Sequence, residues 1–135
     1  MEVVNLSIAD ALKISTNALK KSGALEKNAK ITARALVRAE IDGQRGHGLS
    51  RVPSYAAQVR SGKVNGRASP VLEQVKPGAL RIDASFGFAY PAIEMALPAI
   101  AELAQKLGIA AAAIYHSNHF GVAGHPCEDL ALQGF

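Results

Sequence analysis

In the stretch AEIDGQRGHGLSRVPSYAAQV, which runs from Ala39 to Val59, His47, Arg51 and Tyr55 follow one another at intervals of four residues. A histidine with an ordinary pKa of about 6.5 exchanges a proton near neutral pH. An arginine offers a planar fork of donors that takes a carboxylate through two parallel hydrogen bonds. A tyrosine adds a hydroxyl. Together the three read as a site for a small carboxylate with an acid/base beside it. The same residue types also suit a solvated helix start capped by a histidine, and spacing alone leaves both readings open.

A second group follows at YHSNHFGVAGHPC, residues 115–127. It comes directly after an apolar run of strand length, and in open α/β sheets ligands bind just beyond the carboxyl ends of strands. His119 is its obvious titratable group. The amides of Phe120, Gly121, Val122 and Ala123 lead into a helix and are free to face a phosphate. His116, His119, His125 and Cys127 could instead ligate a metal, but their spacing matches no familiar zinc pattern. We expect no metal site, with His116 or His125 serving as caps.

The elements that must position these groups can be read from periodicity. Ser7 to Asp10 fits a capping box, followed by Ile8, Ala11, Leu12, Ser15 and Leu19 at helical intervals and a stop at Gly23. A second helix is predicted from about Leu25 to Asp42, with Ala29, Ala33, Leu36 and Val37 buried. Pro53 is tolerated only in a first turn, so the third helix should begin near Ser50 and end at Gly62. Gly46-His47-Gly48 then forms the turn feeding it. Leu49, Val52, Ala56 and Val59 should face inward, with Arg51 and Tyr55 on another face. From Val71 the pattern reads strand, Pro77-Gly78 turn, strand. A long helix follows, kinked at Pro98 and closed by Gly108, then a buried strand and a helix interrupted near Pro126. The fold class is therefore α/β (α+β): a three-helix domain over residues 1–69, then the start of an α/β domain over 70–135.

Composition narrows the function classes. The chain has 135 residues, 49% hydrophobic and 19% charged, which fits a folded globular protein. Its net charge of +4 is spread along two helices, and with four Phe, three Tyr and no Trp there is no basic patch interleaved with aromatics. Nucleic acid is not an expected partner. The one cysteine precludes an internal disulfide and agrees with a cytoplasmic setting. The start MEVVNLSIAD lacks the features of a signal peptide, and the longest uncharged apolar run, Gly108 to Tyr115, is too short for a membrane span.

Taken together, GQRGHGLSRVPSYAAQVRSGKVNG, DASFGFAYPAIEMA and HSNHFGVAG resemble the malate/L-lactate dehydrogenase-like family, which includes ureidoglycolate dehydrogenase and the Δ1-piperideine-2-carboxylate reductases. The resemblance spans essentially the whole chain. It implies an oxidoreductase that uses NAD or NADP outside the Rossmann fold, and no G-x-G-x-x-G occurs here. Hydride would pass between the nicotinamide and C2 of a small 2-oxo, 2-hydroxy or cyclic imino acid. The resemblance gives His47 the acid/base role, Arg51 the clamp on the substrate carboxylate, and Tyr55 a place in the same substrate-binding stretch. It makes His119 a second catalytic histidine that also contacts cofactor, with Phe120, Gly121, Val122 and Ala123 as the cofactor turn.

Two departures stand out. Members commonly carry serine before the first histidine, where this chain has Gly46. The chain also stops at ALQGF, where another strand is expected, so it reads as the N-terminal portion of such an enzyme. The expected partners are then a second copy in a homodimer or a companion C-terminal polypeptide. The competing expectation is a catalytically inactive remnant that only folds or self-associates.

Overall fold

The computed structural model describes residues 4–135. The signal-peptide reading of the N-terminus falls partly on Met1–Val3, outside the described residues. The element order is the expected one: three helices, then two strands, a helix, a strand and a helix.

Helix α1 (Ile8–Lys21) starts where Ser7 accepts the Asp10 amide at 3.1 Å and donates its hydroxyl to the Asp10 carboxylate at 2.6 Å. Ala11, Ser15 and Leu19 are buried as the spacing predicts, but Ile8 is exposed. Helix α2 (Glu26–Ile41) buries all four expected residues, Ala29, Ala33, Leu36 and Val37. Helix α3 (Val52–Arg60) starts two residues later than expected, because Leu49–Arg51 forms a 3-10 turn and leaves Pro53 in the first α-helical turn.

Strands β1 (Val71–Lys76) and β2 (Ala79–Gly87) form an antiparallel hairpin, and β3 (Ala111–Ser117) adds to β2 in parallel, giving the order β1-β2-β3. A parallel neighbour requires a long crossover. Helix α4 (Ala89–Leu107) provides it, staying one helix across Pro98, which sits on its exposed side, and closing at Gly108 with φ of 83°. Leu80, Ile82 and Ala84 of β2 alternate inward onto Ala92 and Ala96 of α4. Helix α5 (Gly124–Ala131) is not interrupted at Pro126: that proline lies in the first turn, where its missing amide is not needed.

Pairing of β2 with β3 becomes irregular between Asp83 and Gly87. Ser85 and Phe86 have φ of 51° and 57°, and His116 opposite them has 48°. Such conformations cost non-glycine residues on the order of 1 kcal/mol or more each. Asp83 helps hold this bend by accepting the Ser85 amide at 2.7 Å.

A first apolar cluster joins the helices to the sheet layer. It contains Leu19, Ala24, Leu36, Tyr55, Ala56 and Val64, together with Phe88 just ahead of α4. Around it, the side-chain amide of Asn28 donates to the carbonyls of Gly66 and Ala68, and the Asn65 amide donates to the Phe86 carbonyl. These bonds seat the entrance of β1 and the exit of β2 against the helical layer.

Candidate functional site

His47 ends a 3-10 turn, Arg45–His47, and Gly48 leads directly into the next, Leu49–Arg51. The two tight turns replace the simple loop expected from sequence. Glycine is required at 48 because a Cβ there would collide with the backbone and side chain of Glu40. The Glu40 carboxylate in turn accepts the Leu49 amide at 2.9 Å. A carboxylate of the protein itself thus already occupies the Leu49 amide at the start of this turn.

The Arg51 Nε donates to the Gly46 carbonyl at 2.5 Å. That bond holds the guanidinium against its own turn, and among the described residues its two terminal nitrogens make no hydrogen bond. The fork therefore stays free for a bidentate partner. Tyr55 departs from the expected arrangement. It is 2% exposed and packs with Phe88 in the first cluster, instead of sharing an open face with Arg51. Tyr55 precedes Ala56 on the inward side of α3, and both pack into the first cluster. Its hydroxyl lies 3.5 Å from that of Tyr90.

His119 arrives from the loop after β3. Its neighbour Asn118 is pinned twice, by its amide to the Gly87 carbonyl and by its side chain to Gln58 of α3, both at 3.0 Å. The result is a stack of the two histidine rings from distant parts of the chain: His47 and His119 lie 5.8 Å apart at 13°. His47 Nδ1 is buried and makes no hydrogen bond among the described residues. Leaving such a nitrogen unpaired costs roughly 1–3 kcal/mol.

His47, Tyr90, Phe120, Gly121 and Val122 line a cavity of about 370 Å³ bounded by α2, α4 and α5. Ala123 is the exposed N-cap of α5 and lies outside this lining, as do His119, Arg51 and Tyr55. Phe120 and Pro126 also line a neighbouring apolar hollow of about 440 Å³ between α4 and β3. The amides of Phe120, Gly121, Val122 and Ala123 are used in no hydrogen bond among the described residues.

The far wall is electrostatic. Arg38 of α2 takes Asp129 at 2.8 Å and Glu128 at 2.5 Å, both from α5. Burial works against its charge, but the two carboxylates outweigh that and push its pKa up. His125 contacts Asp42 at 2.8 Å. His116 contacts Asp83 at 3.2 Å and stacks on Phe86, while Cys127 is exposed. The four side chains weighed as metal ligands are thus dispersed, and among the described residues no three His, Cys, Asp or Glu side chains group to hold a metal. No helix among the described residues is long and apolar enough to cross a membrane.

Sequence reading missed Tyr90, Glu40, Gln58 and the Arg38 clamp. Tyr90, Gln58 and Arg38 depend on contacts across the fold, whereas Glu40 lies only nine residues from Leu49.

Residues 6–135 match the family model described as malate/L-lactate dehydrogenase. Among similar proteins, (2R)-3-sulfolactate dehydrogenase (NADP(+)) of Chromohalobacter salexigens is 46% identical over 96% of this chain and 38% of its own length. A Delta(1)-pyrroline-2-carboxylate reductase of Ancylobacter novellus is 42% identical over 98% of this chain and 39% of its own. The crystal structure of delta1-piperideine-2-carboxylate reductase from Pseudomonas syringae superposes with a TM-score of 0.92 at 32% identity, covering 98% of this chain and 40% of that one. The chain thus spans about two fifths of the length of these relatives, and its mixed α/β fold is that of the solved piperideine-carboxylate reductase.

Proposed function

The chain belongs to the malate/L-lactate dehydrogenase family, and from that premise we propose that it serves an oxidoreductase that moves a hydride between NAD or NADP and a small 2-oxo, 2-hydroxy or cyclic imino acid. The observation that carries this reading is the stack of His47 on His119 at 5.8 Å, with the free fork of Arg51 one turn away. In this reading Arg51 grips the substrate carboxylate and so orients C2. His47 gives a proton to the developing alkoxide or amine, or removes one in the reverse direction. His119 assists by polarising the substrate oxygen. Tyr55 supports the substrate side from within the core.

The fit of the cofactor can be judged from the loop ahead of α5. Phe120 presents a half-exposed ring, and Gly121 lets backbone come close, with unused amides on either side. Residues His119 to Ala123 would hold a flat, phosphate-bearing ligand there. NAD(P)H, when bound, supplies the hydride. The NADP(+) in the name of the sulfolactate relative favours the phosphorylated form. We read residues 1–69 as the substrate-side helical domain and 70–135 as the cofactor-side α/β domain. The reading extends to a homodimer or a companion polypeptide in the cytoplasm, supported by the family resemblance and by the lone, unpaired Cys127.

The test is nicotinamide oxidation with a panel of 2-oxo acids and cyclic imino acids. His47→Ala should lower turnover by roughly 10²- to 10⁴-fold with cofactor affinity nearly intact. Arg51→Lys should mainly reduce kcat/KM, because lysine cannot make the two-pronged contact. Unchanged turnover in His47→Ala removes it from the mechanism. A folded chain that turns over nothing in the panel favours the non-catalytic alternative.

A further inference from the structure

Tyr55 is walled off from the cavity. Its ring sits among Leu19, Leu36 and Phe88, and its hydroxyl finds one polar partner among the described residues, the hydroxyl of Tyr90. Tyr90 stands in the first turn of α4 and lines the cavity beside His47, Gly121 and Val122. The Gly121 backbone lies directly against it: a Cβ built on Gly121 would come within 2.6 Å of the Tyr90 hydroxyl oxygen. One hydroxyl thus touches the core on one side and the His119-bearing loop on the other.

We infer that Tyr90 presents the phenolic hydroxyl of this site to the polar head of a small 2-oxo carboxylate, with Tyr55 behind it as a positioning residue. This rests on the proposed carboxylate site. A hydroxyl buried in an apolar cluster must be paired. Either hydroxyl can donate across the 3.5 Å between them, so a ligand in the cavity can take the Tyr90 proton while the Tyr55 proton turns to the Tyr90 oxygen. Burial, and after it the contact with Tyr55, raise the Tyr90 pKa far beyond the ordinary phenol range, while the charge of Arg51 opposes them weakly. Tyr90 therefore stays a neutral donor throughout the range in which a histidine titrates. A neutral hydroxyl of that kind, lining the cavity beside His47, suits an acceptor oxygen of the ligand.

The experiment titrates pyruvate into the full chain and follows side-chain and amide resonances by NMR in the wild type, Tyr90→Phe, Tyr55→Phe and Arg51→Gln. Pyruvate should shift the rings of His47, His119 and Tyr90, and its methyl group should show cross-relaxation to the Tyr90 ring and none to Tyr55. Loss of one uncharged hydrogen bond should weaken pyruvate roughly five- to tenfold in Tyr90→Phe. Tyr55→Phe, acting through Tyr90, should weaken it by about two- to threefold. Equal affinity in the wild type and Tyr90→Phe, with binding lost in Arg51→Gln, overturns the role of Tyr90 and leaves the carboxylate site standing. A larger loss in Tyr55→Phe than in Tyr90→Phe reverses the two roles and also overturns the inference. No response of any site residue to pyruvate overturns both. The cross-relaxation measurement needs no variant and decides the matter even where Tyr90→Phe fails to fold.

Discussion

The turn that carries His47 and the loop that carries His119 meet ring to ring, yet they are held by different forces. The turn is built into the protein. Glu40 holds its Leu49 amide, Gly48 packs against α2, Arg51 bonds back to Gly46, and the helix behind it buries Tyr55 and Ala56. The loop leads into α5, which buries no residue at all. Asn118 pins the root of the loop, and beyond it α5 is tied to α2 through Arg38 with Glu128 and Asp129, and through His125 with Asp42. Partly exposed ion pairs are worth about 0–1 kcal/mol each, so local opening should begin at α5 and spare the turn. On the proposed function, the rigid wall would hold His47 in place and the looser wall would admit a ligand.

The largest test of that contrast is on the rigid side. Gly48→Ala forces its Cβ into Glu40 and displaces the carboxylate that holds Leu49, so stability should fall by about 1–3 kcal/mol in denaturant unfolding. No loss of stability would mean the turn is not braced by α2. On the clamped side, Arg38→Ala breaks two such pairs and should cost at most about 2 kcal/mol globally while amide exchange in α5 rises several-fold and exchange in α3 stays unchanged. Equal rises in both helices would erase the distinction.

The smallest effect concerns the bend beneath the loop. The pKa of Asp83 lies below its ordinary value of 3.8, chiefly because its carboxylate accepts the Ser85 amide, and secondarily through His116. A depressed carboxylate contributes stability that is fully present above pH 3.8 and lost as pH falls through its lower folded value. Acidification below pH 3.8 should therefore shift the Ser85 amide resonance before the protein unfolds, and Asp83→Asn should abolish that step. An Asp83→Asn protein with the same acid response places its origin elsewhere.

Much of this was legible along the chain. The capping box at Ser7, the buried stripe Ala29-Ala33-Leu36-Val37 and the hairpin at Pro77-Gly78 rest on contacts within a few residues, and local rules reach that far. The start of α3 was misjudged by two residues because 3-10 and α-helical turns share the same short-range signals. Tyr55 was placed on an open face with Arg51, whereas it is buried beside Ala56 by its packing on Phe88, a contact from far along the chain that no local rule reaches. Pro126 was read as a break because its position within the first turn depends on where α5 begins.

By itself the sequence determined the succession of elements, the identity of the titratable groups and the glycines that let the His47 turn form, since each follows from residue type and spacing. Which of those groups meet was decided only by the tertiary structure. The stacking of His47 on His119, the clamp from Arg38 to α5 and the exchange of Tyr55 for Tyr90 at the cavity wall all join segments far apart in the chain. Their energies arise from packing and electrostatics between elements, and no periodicity along one element carries that information.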